Sequence, residues 1–269
     1  MEPGGLAPTR RIDVASAVVR PGIGRSDVHR ARGAGPLRLL CPRAAGDAAW
    51  IVTSSLGGGL VDGDAVALEV SVDAGATAVV TTQASTKVYK GSSQQRTRVT
   101  VAGDGAVLVV PDPVVPYRDA AFVQVTDVEL ARDSTLVLCD VLTAGRVAYG
   151  ERWSATRLDT TLRISIDGSL ALHDRIVLAG DVAAHMQRFT ALATALLVGP
   201  RVTELAAGQL AALGVVERGA PVIVAGSPLV GGALFRICGE DVEAVVVATR
   251  ALLRDACAQL GEDPWSRKW

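Results

Sequence analysis

The chain has 269 residues, of which 49% are hydrophobic and 4% aromatic, and it carries 27 basic against 28 acidic residues. This length and apolar content can bury a large core, in one large domain or two small ones. The net charge of −1 provides no electrostatic attraction to DNA, RNA or an anionic membrane. The mean hydropathy of +0.32 is high for a soluble protein, which is consistent with partners covering part of the apolar surface.

Two further features bear on the compartment. The N-terminal sequence MEPGGLAPTRRIDV lacks the apolar stretch of a signal peptide, and no apolar run reaches the roughly 18 residues that span a bilayer. We therefore expect a cytoplasmic protein with no membrane insertion. The cysteines are far apart and form no Cys-x-x-Cys pair, so we expect small apolar side chains or thiols. They are Cys41, Cys139, Cys238 and Cys257.

The dominant pattern over residues 12–178 is the two-residue alternation of β-strands, as in DAVALEVSVD at 64–73. Tight turns rich in Asp, Gly or Ser separate pairs of strand-like runs at intervals of about 30 residues. These turns are at 73–75, 103–105, 132–134 and 167–168. We therefore predict a mainly β fold, with a layered helicoidal (β-solenoid-like) body of stacked hairpins and a small helical portion near the C-terminus. A β-sandwich is the alternative.

Two irregularities interrupt this pattern. Between Val125 and Val128 the apolar alternation slips by one residue, which predicts a β-bulge. Pro111, Pro113 and Pro116 cannot donate to a strand ladder, so they predict an irregular crossing between layers.

After Gly180 the pattern changes to a mixture of helices and strands. Apolar residues recur at helical spacing along DVEAVVVATRALLRDACAQLG, which predicts the longest helix, ended by Gly261 and Pro264. The run MQRFTALATALLVG fits either a helix or a buried strand. RVTELAAGQLAAL predicts a helix, and PVIVAG and ALFRICG predict strands. We expect one domain over 1–269, with a β-rich body at about 12–180 and mixed strands and helices at about 181–269.

The sequence lacks the usual catalytic and ligand motifs. The glycines at 57–59 are not followed by Gly-Lys-Ser/Thr, His29, His173 and His185 have no metal-ligand spacing, and no serine lies in a Gly-x-Ser-x-Gly elbow. What is left is a set of polar residues beside strand turns, for which turn and strand hydrogen bonding is the simplest interpretation. They are Asp62, Asp64, Thr81, Thr82, Gln83, Ser85, Lys87, Asp112, Asp140, Glu151 and Asp174.

Four motifs occur in a fixed order along the β-rich part. They are GGGLVDGD (57–64), TTQASTKVYK (81–90), PDPVVPYRDAAFVQ (111–124) and GRVAYGERW (145–153). Together they resemble the urease accessory protein family called UreD, or UreH in some species. The segment LALHDRIVL at 170–178 extends the likeness.

The resemblance implies a β-rich helicoidal fold and a role that is not enzymatic. Proteins of this family assemble with UreF and the GTPase UreG, bind apo-urease and help to place nickel in its active site. A homodimer within the accessory complex is compatible with that role. Nickel is thought to pass through an interior lined by acidic and hydroxyl groups, which suits an ion that must be admitted and released. We thus expect transient Ni²⁺ and no tightly bound cofactor.

The resemblance also assigns residues. Asp64, Asp140 and Asp174 are the expected transient nickel contacts, although the family often has glutamate where this chain has Asp174. The other path or motif residues are Gly58, Gly59, Gly63, Thr82, Gln83, Ser85 and Lys87.

Two alternatives stay open on the sequence. One is a β-helical carbohydrate-active enzyme that uses Asp62 and Asp64 with Lys87, an interpretation that rests on fold alone. The other is a pure scaffold that holds UreF and urease together without conducting metal.

Overall fold

The computed structural model describes residues 12–43 and 46–266. These residues are mainly β, with seventeen strands and three α-helices, as predicted. The strands are β1 (Val14–Pro21), β2 (Ser26–Arg32), β3 (Leu37–Leu40), β4 (Ala49–Ser55), β5 (Ala65–Val72), β6 (Thr77–Thr82), β7 (Thr86–Val88), β8 (Gly91–Val101), β9 (Ala106–Val109), β10 (Val114–Pro116), β11 (Ala120–Leu130), β12 (Thr135–Thr143), β13 (Arg157–Ile166), β14 (Ser169–Ala179), β15 (Ala191–Val198), β16 (Val222–Leu229) and β17 (Gly232–Gly239). The helices are α1 (Val182–Met186), α2 (Thr203–Ala212) and α3 (Val242–Gln259).

The strands form two sheets. Sheet A has seven strands in the order β14-β13-β11-β8-β5-β1-β2, and its central pairs from β13 to β1 are parallel. Sheet B has ten strands, with the order β16-β17-β15-β12-β9-β6-β4-β3 and the short β7 and β10 beside it. Its central pairs from β12 to β4 are also parallel. These central strands of sheet B are buried on both faces, which explains the apolar runs in β6, β9 and β12, the last interrupted by Asp140.

The prediction of stacked hairpins is wrong for three of the four turns. β5, β8 and β11 lie in sheet A, whereas the strands that follow them, β6, β9 and β12, lie in sheet B. These turns are corners between the sheets, because each strand pairs with the equivalent strand about 30 residues away, as in Val72 with Val101 and Val101 with Leu130. The fourth turn does join an antiparallel hairpin, β13 with β14. The β-solenoid-like layering stays a prediction.

The predicted bulge at Val125–Val128 is also wrong. β11 pairs in continuous register with both β8 and β13 from Ala121 to Leu130. The apolar alternation slips because Gln124 and Thr126 are polar residues on the face that points toward sheet B. The strand keeps its phase, and the interior is polar at this point.

The predictions for the C-terminal part agree with the observed elements. The run at 186–199 contains strand β15, the two predicted strands are β16 and β17, and both helices form. Helices α2 and α3 cover the outer face of sheet B, and α3 buries a stripe that includes Val245, Leu253 and Ala256. Asp241 caps α3 by accepting a hydrogen bond from the Ala244 amide at 2.9 Å.

A contact beyond α3 fixes the start of β4. The buried carboxylate of Glu262 accepts hydrogen bonds from the Ala48 amide at 2.8 Å and from the Trp50 indole N–H at 3.2 Å. Gly46 allows this approach, because a Cβ there would lie 2.3 Å from Glu262 Oε1. We call this group the Glu262 clamp.

Candidate functional site

A cavity of about 240 Å³ lies between the two sheets, and we call it the chamber. Its apolar wall comes from strands of both sheets and includes Val66, Leu68, Val80 and Leu138. It reaches the surface beside residues 83–84, which are exposed. Its polar wall includes Thr82, Gln83, Ser85, Gln95, Asp112 and Asp140.

The chamber exists because the inward faces of two paired strands change character along their length. In β8 and β11 the paired inward residues are Gln95 with Gln124 and Thr97 with Thr126 at the chamber. Toward the corners, the inward residues of both strands are Val or Leu, and they pack in one hydrophobic cluster with sheet B. The two sheets therefore do not pack tightly at the polar ends of β8 and β11 as they do at the apolar ends, because burying polar groups without partners is costly.

Asp140 is one of the predicted site residues that line this chamber. It lies on β12 in sheet B, and its Oδ2 accepts a hydrogen bond of 2.6 Å from Nε2 of Gln124 in sheet A. Burial raises the pKa of Asp140 to about 6, against the opposing effects of the Gln124 hydrogen bond and the Arg236 charge. The Oε1 atom of Gln124 is buried with no hydrogen-bond partner among the described residues. The carboxylate and this amide oxygen are thus available to a cation.

The polar side chains continue from Asp140 across the sheets. Asp140 pairs with Thr194 on β15, and Thr194 pairs with Arg236 on β17. The Arg236 guanidinium donates to Thr194 Oγ1 and forms an ion pair with Asp174 on β14 of sheet A. We call Gln124, Asp140, Thr194, Arg236 and Asp174 the polar row; it joins two of the predicted residues, Asp140 and Asp174.

Thr82 and Ser85 belong to the chamber wall, as does Gln83. Thr82 Oγ1 lies 3.1 Å from Oδ2 of Asp112 and accepts the Asp112 amide at 2.8 Å. This pair ties the end of β6 to the proline-rich segment that leads from sheet B to sheet A. Hydroxyl and carboxylate oxygens are therefore presented together at the chamber opening.

Asp64 lies outside the chamber wall. Its Oδ2 accepts the Val61 amide at 2.8 Å, and the neighbouring Asp62 accepts the Ser92 amide at 2.8 Å. The Asp64 bond is a turn hydrogen bond, the simplest interpretation that the sequence offered, whereas the Asp62 bond ties this turn to the start of β8. Gly63 has φ of +81° at this turn, which side chains with a Cβ resist.

The other glycine-motif residues approach the second motif. Gly58 lines the chamber and has φ of +74°. A Cβ on Gly59 would lie 2.5 Å from the Lys87 carbonyl oxygen and 2.7 Å from a ring carbon of Tyr89. The Lys87 carbonyl also accepts the Leu60 amide at 2.8 Å, whereas the Lys87 residue as a whole is exposed. Lys87 is therefore placed to act through its backbone.

The second, third and fourth motifs meet in a cluster of aromatic and charged side chains. The Arg146 guanidinium carbon lies 4.0 Å from the centre of the Tyr117 ring, and that ring meets Tyr89 edge-on at 5.0 Å. Arg146 also forms a bidentate pair with the buried Glu151. Its hydrogen bonds hold the pKa of Glu151 below the ordinary value. This cluster joins three of the four motifs, and Gly59 of the first motif lies against Tyr89 of the cluster.

Sequence reasoning missed Gln124 and Arg236 as site residues. The signal for Gln124 was the interrupted apolar alternation of β11, which a polar inward residue explains as well as a bulge does. For Arg236 the signal was an arginine between inward-facing Leu234 and Cys238 in an otherwise apolar strand. Its partners lie on strands far away in sequence.

Two negative findings concern the described ranges 12–43 and 46–266. No group of three or more His, Cys, Asp or Glu side chains there is arranged to hold a metal ion. Likewise, none of the helices in these ranges is long and apolar enough to cross a membrane.

The fold and site define a class of mainly β protein in which two sheets enclose a polar chamber near the motif-bearing loops. Family comparison gives the particular group: the model for the UreD urease accessory protein matches residues 13–269, and the chain belongs to this family. The resemblance carried by the four motifs is thereby confirmed.

Similar individual proteins are also urease accessory proteins of the UreD family. The chain is similar to a urease accessory protein UreD from Sorangium cellulosum (strain So ce56), with 42% identity over 252 residues, 91% of this chain and 81% of the relative. A urease accessory protein UreD from Anaeromyxobacter sp. (strain Fw109-5) is 39% identical over 267 residues, 93% of this chain and 90% of the relative. Urease accessory protein D of Arabidopsis thaliana is 35% identical over 183 residues, 63% of this chain and 62% of the relative.

Proposed function

We propose that this chain acts in the cytoplasm in maturation of the urease nickel centre, as a scaffold and nickel passage between a UreF–UreG complex and apo-urease. In this role it is not an enzyme, and Ni²⁺ is a transient cargo rather than a resident cofactor. Family membership supports the link with urease. The chamber and the polar row support the link with a cation.

The observation that carries the proposal is the Asp140 carboxylate facing an interior chamber beside the Gln124 carbonyl oxygen, which has no hydrogen-bond partner among the described residues. Oxygen donors hold Ni²⁺ less firmly than thiolates or imidazoles do, so an ion here can leave again. A passage requires this balance, since an ion that binds too tightly is not delivered.

The other proposed path residues have different support. Thr82 and Ser85 share the chamber wall with Asp140, and Asp174 lies at the far end of the polar row. Asp64 is kept in the proposed path on the motif resemblance alone, because its carboxylate is engaged in a turn and lies outside the chamber wall. For the carbohydrate-active alternative, the contacts of Asp62 and Asp64 are hydrogen bonds from backbone amides, which fit a structural role as well as a catalytic one.

The proposal is tested by maturing urease with and without this chain. The chain, or an Asp140→Asn variant, is co-expressed with UreF, UreG and the urease subunits under limiting nickel. The nickel content of purified urease and the composition of the co-purifying complex are then measured. We expect nickel-poor urease without the chain, and an intact complex with reduced nickel loading for the variant.

Asp127→Asn is the matched control, because Asp127 lies on the outer face of β11 in an ion pair with Arg163. We expect full nickel loading with this control. Full loading with Asp140→Asn as well would favour the pure scaffold over the passage. Full loading in the absence of the chain would remove the proposed role altogether.

A further inference from the structure

Arg236 places a fixed positive charge inside the polar row. Its side chain is 26% exposed, that of its partner Asp174 is 21% exposed, and its second partner is the Thr194 hydroxyl. Thr194 is itself in register with Asp140 on the neighbouring strand. Arg236 therefore lies between Asp140, which lines the chamber, and Asp174.

The sequence around Arg236 makes this placement costly without partners. Leu234 and Cys238 are its inward-facing neighbours on β17, and an arginine among apolar residues requires paired charges and hydrogen bonds. Asp174 and Thr194 supply them from two other strands, one in each sheet. The side chain is thus held across the gap between the sheets.

We propose that Arg236 bars cations from the route between Asp140 at the chamber wall and Asp174, and confines a divalent ion to the Asp140 side until the guanidinium leaves Asp174. This inference rests on the proposed nickel passage and adds a barrier to it. Two like charges at close range repel strongly where little water separates them, so a divalent ion and Arg236 compete for the same carboxylates. Movement of Arg236 off Asp174 would open the Asp174 end of the path.

The test is titration of the purified full chain with NiCl₂, followed by calorimetry or equilibrium dialysis. Arg236→Gln removes the charge but keeps a hydrogen-bonding side chain, and we expect it to bind Ni²⁺ at least about tenfold more tightly than the unaltered chain. Arg236→Lys keeps the charge and loses the forked geometry, so its affinity should stay near that of the unaltered chain. Arg163→Gln, which removes an outer-face arginine paired with Asp127, should change nothing.

Equal affinity of Arg236→Gln and the unaltered chain would overturn the inference. Equal tightening by Arg236→Gln and Arg236→Lys would also overturn it, because a purely structural contact would then explain the effect. The NiCl₂ affinity of Asp174→Asn tests the same barrier in a variant that keeps Arg236. Freed from Asp174, the guanidinium can turn toward Asp140, so nickel binding should stay weak or weaken further, and tighter binding would contradict the barrier.

Urease maturation separates this inference from the proposed function. If Asp140→Asn lowers nickel loading of co-expressed urease while Arg236→Gln leaves the NiCl₂ affinity of the chain unchanged, the passage stands and the barrier is wrong. If Asp140→Asn leaves loading unchanged, the passage itself fails, whatever the affinity of the Arg236 variants.

Discussion

Gln124 and Asp140 meet across the gap between the two sheets, with Nε2 of one 2.6 Å from Oδ2 of the other. The contact joins β11 of sheet A to β12 of sheet B, two strands connected through a corner turn. It places a carboxylate where burial raises its pKa to about 6. The residue that the proposed function needs most is therefore one that costs the fold stability when it is ionised.

We predict that Asp140→Asn stabilises the protein at neutral pH. Because the pKa of Asp140 is raised from 3.8 to about 6 by burial, the folded state binds the proton more tightly than the unfolded state does. That contribution is complete below about pH 4 and is lost as the pH rises through 6, an effect on the order of 2–3 kcal/mol. Urea unfolding at several pH values should show the variant gaining stability over the unaltered chain between pH 4 and pH 7.

Asp127→Asn is the control for this pH series. It removes a carboxylate from the same strand on its outer, solvent-facing side, where Arg163 is its partner. A stability difference for Asp140→Asn that does not vary with pH would contradict the raised pKa.

Asp159 is expected to show the opposite pH dependence. It is buried, and it accepts hydrogen bonds from Arg175 at 2.9 and 2.8 Å and from Arg157 at 2.7 Å. These bonds lower its pKa to about 2, Arg175 having the larger effect. The stabilisation is therefore present above about pH 4 and is lost as the pH falls toward 2.

Asp159→Asn should accordingly cost about 1–2 kcal/mol at pH 7, a modest value because both arginines are half exposed. Chemical denaturation at pH 7 and pH 3 measures the change. We expect Asp159→Asn to lose less stability at pH 3 than at pH 7. Equal losses of stability at the two pH values would argue against the ion pairs of Asp159 as the source of the effect.

Glu262→Ala should destabilise the fold by about 2–4 kcal/mol, because it removes the acceptor of the buried Ala48 amide and the contact with the Trp50 indole N–H. Glu262→Gln keeps one side-chain carbonyl oxygen, so we expect a smaller loss. Thermal unfolding monitored by tryptophan fluorescence gives both values. If the two variants lost the same amount of stability, the clamp would stabilise the fold through the packing of the Glu262 side chain and not through its hydrogen bonds.

Gly59→Ala should cost about 1–3 kcal/mol, because the new Cβ would overlap the Lys87 carbonyl oxygen and the Tyr89 ring. Gly208→Ala is its counterpart. Gly208 lies in α2, where an added methyl group would meet no atom of another element within 4 Å, so alanine should stabilise by about 0.5–1 kcal/mol. Denaturation midpoints of the two variants should therefore move in opposite directions. If Gly59→Ala left the stability unchanged, the backbone of Lys87 and the Tyr89 ring would have to be able to shift away from the added methyl group.

Much of the fold could be predicted from the sequence, because strand alternation and helical spacing are local signals. The strands at β5, β8 and β16 and the helix α3 follow from them directly. The corner turns could not be distinguished from hairpins, since Asp73-Ala74-Gly75 reverses the chain in either case. Which sheet the next strand joins depends on partners about 30 residues away.

The site was predictable only where motif resemblance supplied it. Asp140, Thr82 and Ser85 were found in this way, and they share the chamber wall. Gln124 and Arg236 were not found, because their importance comes from contacts between strands that are far apart in sequence, such as the pair of Arg236 with Asp174. Single-sequence patterns carry no information on such pairings.

The Glu262 clamp also has a consequence for biosynthesis. Its two ends are 214 positions apart, so the start of β4 leaves the ribosome long before its acceptor is made. At ordinary translation rates the delay is roughly 10–40 s. During that interval the Trp50 indole is without Glu262 and can meet chaperones or other nascent chains, until synthesis of the segment after α3 completes the clamp.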